Sequence, residues 1–225
     1  MYYFIVNPNS RSGKGALIWK GLEGILNERN VEYKTFFTEY RGHAVLLSES
    51  ITSDAAPESP VTLIAVGGDG TIQEVLSGVR DLSYITFGYI PTGSGNDFCR
   101  GMKLPAEPGE ALDLILSGCR PHPMDVPVLT CGTGSSHFAI SCGIGFDAGV
   151  CHEVSVTPMK KVLNRIGLGK LVYLFVALKQ LLFLKPSPMT LVMDDDNVQQ
   201  FSKVYFTAVM NQKYEGGGFK FCPNA

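Results

Sequence analysis

The sequence feature that constrains the fold most is the apolar run Val61–Val66, which is followed directly by the glycine-rich loop Gly67–Thr71. An apolar run without polar alternation is typical of a strand that is buried on both faces of a parallel sheet. We predict a helix over Thr71–Val79, so the loop lies outside the carboxyl end of a central strand. Open α/β sheets bind their ligands at such a point. The pattern therefore predicts an α/β domain with a ligand site at Gly67–Thr71.

The first 120 residues alternate between short β-rich runs and segments in which apolar residues have helical spacing. This alternation is typical of a parallel sheet covered by helices on both faces. The helical spacing is clear at Ile18, Leu22, Ile25 and Leu26. The other predicted strands are Tyr2–Val6, Glu32–Thr38 and Tyr84–Ile90, and the other predicted helices are Ala16–Asn30, Gly42–Ile51 and Glu110–Ser117, the last with Leu112, Ile115 and Leu116 facing the core.

The chain changes character near Pro121–Pro123, where we place the boundary between a domain of residues 1–120 and a domain of residues 121–225. The second domain is predicted to be a mainly antiparallel β-sandwich into which the helix Lys170–Leu184 is inserted. The turn-forming cluster Asp194–Asn197 predicts a hairpin. The predicted strands of this domain are Met124–Cys131, His137–Cys142, Met189–Met193 and Phe201–Met210.

Composition and charge exclude several classes of protein. The 225 residues are 45% hydrophobic and 18% charged, which is typical of a globular protein and not of a disordered one. A formal net charge of -2 without a basic stripe argues against nucleic acid as a partner. The six cysteines include no Cys-x-x-Cys pair, and the N-terminus lacks the basic lead and long apolar core of a signal peptide. These features predict a protein of the reducing cytoplasm.

The Gly67–Thr71 loop has the composition of an anion cradle. Its glycines permit positive φ and a close approach of backbone N–H groups to phosphate oxygens, and the following helix N-terminus adds partial positive charge. Asp69 suits such a cradle when a cation or hydroxyl offsets its charge, so we interpret it as arranging metal-bound phosphate or nucleotide. Thr71 caps the helix or binds phosphate. The alternative is a plain strand-to-helix turn capped by Asp69 or Thr71, which accounts poorly for three glycines and a carboxylate.

A second polar loop, Pro91–Phe98, follows the next predicted strand and so lies at the same edge of the sheet. Ser94 offers a hydroxyl to a phosphate, while Asn96 and Asp97 have side chains that can fix the loop by hydrogen bonds to backbone groups. The alternative is the capped start of a helix at Asn96, which is compatible with the same role. Because Gly, Ser and Asn are common turn formers, this loop alone does not decide between the two interpretations.

The third loop, Asn7–Gly15, superficially resembles a P-loop. The match fails, because Pro8 stands where the Walker motif has glycine, and Gly15 stands where the motif has Ser or Thr. The residues alone leave open whether this stretch contacts phosphate or is a solvated loop with a helix start. Gly143–Ala148 fits the dinucleotide pattern, but we discount it because it lies in the β-rich half without a βαβ unit.

In this order, the motifs Asn-Pro-x-Ser, Gly-Gly-Asp-Gly-Thr and Pro-x-Gly-Ser-x-Asn-Asp-Phe resemble the diacylglycerol kinase catalytic family. Met124–Val126, Ser141–Asp147 and Asn211–Gly218 extend the resemblance over the whole chain. Gly-Gly-Asp-Gly is shared with NAD kinases and phosphofructokinases, so it specifies only the superfamily. The Pro91–Phe98 loop is what indicates the lipid kinase branch.

The resemblance implies that ATP binds between the α/β domain and the β-sandwich with Mg²⁺, and that its γ-phosphate passes to a lipid hydroxyl, with diacylglycerol as the leading acceptor. It implies a role in phospholipid biosynthesis and a cytoplasmic protein that meets its lipid substrate at the inner face of the membrane. A homodimer is left open. Arg11 departs from the family, which commonly has glycine there. The implied nucleotide contacts are Asn7, Pro8, Asn9, Ser10, Arg11, Thr38, Gly68, Asp69, Gly70, Thr71, Ile72, Gln73, Glu74 and Ser94.

In relatives the general base is a glutamate far toward the C-terminus, and a metal-binding loop comes soon after the segment that matches Gly216–Gly218. Both would lie beyond Ala225. We therefore expect this sequence to be a truncated form of a longer protein, with an incomplete β domain. Whether the fragment alone is active, and which residues bind the metal, is left open.

The apolar segment Ile166–Leu184 is interrupted by Lys170, Lys179 and Gln180, which argues against a membrane-spanning helix. A lipid kinase must reach a membrane, so a helix at the membrane surface is one interpretation. Apolar residues on all sides of the helix favour the other interpretation, a buried helix.

Two alternative functions remain open from the sequence. The shared Gly-Gly-Asp-Gly motif also fits a kinase that acts on a soluble nucleotide such as NAD. The expected absence of the general base also fits a nucleotide-binding remnant without catalytic activity.

Overall fold

The computed structural model describes residues 1–132, 134–156, 169–194 and 197–225. The chain forms two compact units, one of Met1–Ser141 with Met210–Ala225 and the other of Cys142–Val209. Whether an independently folding domain ends near Pro121–Pro123 stays a prediction.

The first unit contains a four-stranded sheet with the strand order β2-β1-β3-β4. Its strands are β1 (Tyr2–Val6), β2 (Tyr33–Phe37), β3 (Val61–Gly67) and β4 (Ile85–Pro91). All three strand pairings are parallel, and β1 pairs with both β2 and β3. The strands β1 and β3 are therefore interior, and the predicted parallel α/β architecture is confirmed.

Helices of the first unit connect and follow these strands. They are α1 (Ser10–Gly13), α2 (Gly15–Glu28), α3 (His43–Thr52), α4 (Asp69–Gly78), α5 (Asp97–Gly101) and α6 (Pro108–Leu116). The four long helices agree with the predicted ones to within two residues at each end, because their apolar spacing is regular. The short helix α5 confirms the alternative interpretation of the Pro91–Phe98 loop, a helix start at Asn96, since Asn96 stands in its N-cap position.

Successive residues of the interior strands face two different hydrophobic cores, which explains why Val61–Val66 shows no polar alternation. Leu63 and Ala65 of β3 lie in one core, with residues of α3 and α4. Ile64 and Val66 lie in the other, with residues of α2 and α6. Burial on both faces accounts for the apolar side chains at positions 63–66, and the polar Thr62 lies at the partly exposed start of the strand.

The second half of the chain contains pairs of strands. In the first unit, β5 (Val128–Cys131) and β6 (Gly134–His137) are antiparallel. The strand β7 (Ser141–Gly145) pairs with β10 (Phe206–Met210), and their directions are opposite, since Asn211 N–H donates to Ile140 O whereas Phe146 N–H donates to Tyr205 O. The predicted hairpin is confirmed by β8 (Ser187–Met193) and β9 (Asn197–Val204), although Asp195 and Asp196 lie outside the described residues. Mainly antiparallel pairing in this half confirms the predicted fold class.

Two strand predictions in this half are wrong. His137–Cys142 spans the end of β6 and the start of β7 instead of forming one strand. Phe201–Met210 is interrupted at Tyr205, between β9 and β10. Strands such as β5, in which every residue is exposed, lack the one-sided burial that gives a readable alternation.

Among the residues that the structure describes in this half, two helices accompany these strands, α7 (Phe146–Val156) and α8 (Gly169–Phe183). The predicted inserted helix is confirmed for Gly169–Phe183, and residues 166–168 lie outside the described residues. The expectation that this helix is buried is wrong for several of its residues, because large apolar side chains near its C-terminal end are exposed. None of the helices that the structure describes is long and apolar enough to cross a membrane.

Candidate functional site

The three polar loops predicted from the sequence meet at the carboxyl end of the parallel sheet. Asn7 Nδ2 donates a hydrogen bond of 3.2 Å to Thr71 Oγ1, which joins the loop after β1 to the loop after β3. The hydroxyls of Ser10 and Thr92 lie 2.7 Å apart and are buried, which joins the first loop to the loop after β4. Thr92 N–H donates to Gly67 O over 2.8 Å. Side chains and backbone therefore hold the three loops in one arrangement.

The glycines of the β3–α4 loop are needed for space and not for positive φ, which corrects the expectation from the sequence. Gly67, Gly68 and Gly70 are not among the residues with positive φ. A Cβ on Gly67 would lie 2.2 Å from Thr71 Oγ1, and a Cβ on Gly68 would lie 3.1 Å from the Cα of Gly93. A side chain at either position would crowd these neighbours, so two of the glycines let the loops pack against one another.

Asp69 connects the β3–α4 loop to helix α5. Its Oδ2 accepts the N–H of Asp97 over 3.1 Å, and its Oδ1 accepts the N–H of Phe98 over 3.2 Å. These are the first two residues of α5, whose own N-cap residue, Asn96, makes no side-chain cap hydrogen bond. Asp69 thus caps a helix that begins 28 residues later in the chain.

Helix α4 begins at Asp69 without a side-chain cap. Thr71 does not cap it either, and its Oγ1 instead accepts a hydrogen bond from Asn7. The N–H groups of Thr71 and Ile72 donate to Gly68 O over 2.9 Å and 3.2 Å. The first N–H groups of a helix have no partner within it, so those of Asp69 and Gly70 are free to bind an anion at the positive end of the helix dipole.

A second carboxylate, that of Asp97, is buried beside the first. Its Oδ2 accepts the N–H of Gly217 over 2.7 Å, and its Oδ1 forms an ion pair with Arg100. Gly217 lies between Gly216 and Gly218, and all three have positive φ. The triple-glycine segment is therefore fixed to the start of α5 through Asp97.

Burial dominates the electrostatics of Asp69. It raises the pKa of this carboxyl group above the ordinary value, and the nearby negative charge of Asp97 raises it further. The N–H groups of Asp97 and Phe98 act in the opposite direction but do not fully offset burial. Burial likewise raises the pKa of Tyr89, whose hydroxyl lies 3.0 Å from Asn96 Oδ1 and 3.2 Å from Gly67 O. A nearby cation would therefore stabilise the charged form of Asp69.

The donor set at these loops fits an Mg²⁺ ion carried on phosphates better than one held by protein alone. In the part of the chain that the structure describes, no three His, Cys, Asp or Glu side chains are grouped to hold a metal. Mg²⁺ commonly keeps several waters and binds one or two carboxylates together with substrate phosphates. Asp69, partly buried and next to Asp97, is the carboxylate whose environment suits that arrangement.

The first loop has an unusual backbone. Arg11 and Ser12 have φ of 50° and 60°, and Gly13 has φ of 93°. Left-handed backbone costs a residue with a Cβ roughly 1–2 kcal/mol, so the glycine that the resemblance implies at position 11 would fit this backbone better than Arg11 does. Gly15 faces a second constraint, because its Cβ would lie 2.4 Å from both Asn7 O and Ser10 Oγ. The lack of space for a side chain at position 15 explains why glycine, and not the Ser or Thr of a Walker motif, follows Lys14.

The other predicted contact residues are distributed unevenly around the loops. Thr38 is buried at the end of β2, where its N–H donates to Val6 O over 2.9 Å, and Ser94 is exposed. The side chain of Ile72 is fully buried in the core, which leaves only its backbone for a ligand. Gln73 Nε2 donates to Ser136 Oγ over 3.2 Å, and so its side chain contacts β6. The remaining ones are Pro8, Asn9 and Arg11 in the first loop, Gly70 at the start of α4 and Glu74 in the second turn of α4.

Sequence reasoning missed residues whose role depends on long-range contacts. Thr92 and Gly217 are the main ones, since each connects loops far apart in the chain. No local pattern marks the partner of a hydroxyl or a glycine N–H. Gly143–Ala148, discounted as a dinucleotide motif, lies on β7 and the start of α7, where a Cβ on Gly145 would lie 2.4 Å from Tyr205 O. Gly145 therefore allows β7 to pack closely against Tyr205, the residue before its antiparallel partner β10.

Comparison with known proteins identifies a family and relatives for this chain. Residues 1–130 match the family model described as the diacylglycerol kinase catalytic domain. Over its full length the chain is 33% identical to the Bacillus subtilis protein named "Putative lipid kinase YtlR", of which 73% is covered. It is 29% identical to the Klebsiella pneumoniae protein named "Probable lipid kinase YegS-like", over 95% of this chain and 68% of that protein.

Solved structures show the same fold. A structure described as that of "a putative diacylglycerol kinase from Bacillus anthracis" aligns with a TM-score of 0.71 at 24% identity. The alignment covers 99% of this chain and 68% of the chain in that structure. A second Bacillus anthracis structure, described as that of a diacylglycerol kinase, aligns with a TM-score of 0.67 over the same shares. The parallel α/β sheet followed by antiparallel strands is thus the architecture of these solved relatives.

Proposed function

The chain belongs to the diacylglycerol kinase catalytic domain family, a family of lipid kinases, and from that membership we propose that it transfers the γ-phosphate of ATP to a lipid hydroxyl. Diacylglycerol is the acceptor we propose. The observation that carries the ATP site is the joining of three polar loops at the carboxyl end of the sheet by the Asn7–Thr71 and Ser10–Thr92 contacts. Ligands of open α/β sheets bind at this edge.

The loops offer the groups that polyphosphate binding needs. The free N–H groups at the start of α4 can donate hydrogen bonds to an anion without adding side-chain bulk. The dipole of α4 favours negative charge at the same point. The exposed Ser94 hydroxyl is a further donor at the same edge. We assign the ATP phosphates to these groups.

Phosphoryl transfer asks a protein mainly for positioning and for stabilisation of charge. In the proposed mechanism Asp69 positions the loops around the phosphates. Its two hydrogen bonds fix α5 and the preceding Ser94 loop relative to α4. When bound, Mg²⁺ supplies neutralisation of phosphate charge. Asp69 would hold this ion, and the charge of the ion would relieve the cost of burying the carboxylate beside Asp97.

The names of the relatives support a lipid acceptor over a soluble one. The Bacillus subtilis and Klebsiella pneumoniae proteins are both named as lipid kinases. The solved relatives are described as diacylglycerol kinases, and this is the reason for proposing diacylglycerol among lipid alcohols. We further propose that the protein acts in the cytoplasm, where ATP and the inner face of the membrane are both accessible.

The test of this function is ADP release by the full-length protein with ATP and Mg²⁺, with and without vesicles that contain diacylglycerol. We expect release that depends on the lipid, because transfer requires an acceptor hydroxyl. Ceramide, a polyprenol and a sphingoid base serve as alternative acceptors in the same vesicles. NAD serves as the soluble acceptor. Phosphorylation of NAD without lipid would contradict the proposal, and ATP binding without turnover on any acceptor would contradict it equally.

A further inference from the structure

An exposed aromatic side chain follows the end of β2. Tyr40 is 57% exposed, and its ring is stacked on that of His43, with centroids 4.6 Å apart and planes inclined by 7°. The imidazole covers one face of the Tyr40 ring, while more than half of the residue stays open to solvent. We call this stacked pair the Tyr40 platform.

The backbone around Tyr40 holds the platform in place. Glu39 N–H donates to His43 Nδ1 over 3.1 Å, and His43 N–H donates to Tyr40 O over 3.2 Å. Gly42, between the two rings in the sequence, has a φ of 87°, which a residue with a Cβ rarely adopts. The ring pair is therefore oriented before any ligand binds, which lowers the entropic cost of binding one.

Tyr40 lies near the edge of the sheet to which the ATP phosphates are assigned. Thr38 N–H donates to Val6 O over 2.9 Å, and Asn7 N–H donates to Val66 O over the same distance. The ends of β2, β1 and β3 are therefore side by side at one level of the sheet. Neighbouring strands are about 4.7–4.9 Å apart, so the end of β2 lies roughly 10 Å from the end of β3, where α4 begins.

The two buried carboxylates define the direction in which a bound nucleotide extends. Asp69 and Asp97 lie on the side of β3 and β4, where the N–H of Asp97 donates to Asp69 Oδ2. The loop after β4 closes this side, because a Cβ on Gly93 would lie only 2.5 Å from the Cα of Gly68. A nucleotide whose γ-phosphate lies beside Asp69 therefore extends its ribose and base the other way, across the loop after β1 toward the end of β2.

We propose that the adenine base of ATP stacks on the solvent-exposed side of the Tyr40 ring. The proposal rests on the proposed function and deepens it, because it names the residue that binds the base. Every nucleobase has a π face, so stacking on tyrosine favours a nucleotide over its bare phosphates. His43 is a positioning residue, since it supports the ring from the other side.

The test is calorimetric titration of the full-length protein with ATP and, separately, with tripolyphosphate, both with Mg²⁺. Tripolyphosphate carries the phosphates but no base. Tyr40→Ala removes the ring, and Tyr40→Phe keeps it. The matched control is Tyr205→Ala, because Tyr205 is 51% exposed and belongs to the other unit.

We expect the affinity for ATP to fall about tenfold in Tyr40→Ala, because base–aromatic stacking contributes an amount of this order. It should stay near the wild-type value in Tyr40→Phe and in Tyr205→Ala. The affinity for tripolyphosphate should stay unchanged in all three variants. A role of Tyr40 in the structure of the turn alone would not separate the two ligands in this way.

Three results would overturn the proposal. The first is an unchanged affinity for ATP in Tyr40→Ala. The second is an equal loss of affinity for ATP and tripolyphosphate in that variant, which would assign Tyr40 to the shape of the loops. The third is a loss in Tyr40→Phe as large as that in Tyr40→Ala, which would assign the effect to the hydroxyl.

Failure of this proposal is distinguishable from failure of the kinase, because titration needs no lipid acceptor. ATP affinity that depends on the Tyr40 ring, without ADP release on any acceptor, would contradict only the kinase. Lipid-dependent ADP release in wild type, together with an unchanged ATP affinity in Tyr40→Ala, would contradict only the stacking.

Discussion

Replacing Asp69 by asparagine should lower lipid-dependent ADP release at least about 100-fold, because the carboxylate fixes α5 and the loop before it, and small displacements of a positioned group have effects of this size. Asparagine keeps one acceptor oxygen but places an NH₂ group against a backbone N–H. A buried N–H without a partner costs about 1–3 kcal/mol. Removal of the buried charge offsets part of this cost, so we expect the free energy of unfolding to fall by only about 1 kcal/mol.

The pH dependence of the Asp69→Asn effect has a defined sign. Because the pKa of Asp69 is raised in the folded protein, its contribution to stability is greatest below the ordinary carboxyl pKa and is lost as the pH rises through the raised value. Asparagine does not titrate. The difference in unfolding free energy between wild type and variant should therefore widen as the pH falls, which urea unfolding at several pH values measures.

The control for Asp69→Asn is Asp81→Asn. Asp81 also accepts a backbone N–H, that of Ser83 over 2.9 Å, but at an exposed turn. Asparagine and aspartate cap about equally well, so stability and ADP release should both stay near wild-type values. Normal ADP release in Asp69→Asn would show that the carboxylate has no role in the site.

The substitution Gly93→Ala should separate two of the three loops. The new Cβ would lie 2.5 Å from the Cα of Gly68 and 2.7 Å from Asn96 Oδ1, well inside the ordinary carbon contact distance of about 3.5–4.0 Å. Backbone has to move to relieve the first contact. We expect the free energy of unfolding to fall by about 1–3 kcal/mol and ATP affinity to fall at least about tenfold, as measured by urea unfolding and calorimetric titration.

The matched control for this substitution is Gly24→Ala in α2. A Cβ on Gly24 meets nothing within 4 Å. Alanine in a helix interior is favoured over glycine by about 1 kcal/mol, so this variant should be more stable and should bind ATP normally. If Gly93→Ala bound ATP as well as Gly24→Ala does, the close packing of the two loops would not matter for the nucleotide.

The elements of the parallel sheet were predictable because their signals are local. Val61–Val66 was predicted as a doubly buried strand, and β3 is Val61–Gly67 with its residues divided between two cores. The spacing of Ile18, Leu22, Ile25 and Leu26 predicted α2 for the same reason, since Leu22 and Leu26 are buried in a single core with β1 and the two isoleucines pack against it. Residues that are buried at regular intervals are apolar at the same intervals, so the sequence alone indicates the element.

The contacts that complete the candidate site were not predictable, because they join residues distant in sequence. A helix start at Asn96 was one interpretation of the sequence, but no local pattern indicates that Asp69 caps this five-residue helix instead of Asn96. The glycines of the β3–α4 loop were expected to have positive φ, but the structure shows that Gly67 and Gly68 are needed for space, while their approach to phosphate stays a prediction. Their role depends on the neighbouring positions of Thr71 and Gly93, which only the folded chain brings together.

The central claim is that the loops after β1, β3 and β4 together bind the phosphates of ATP. Amide hydrogen exchange followed by mass spectrometry, with and without ATP and Mg²⁺, tests it most directly. We predict slower exchange in peptides that cover Asn7–Gly15, Gly67–Thr71 and Pro91–Phe98, and unchanged exchange in the β8–β9 hairpin. Saturating ATP that leaves all three loops unprotected, or that protects only Gly143–Ala148, would contradict it.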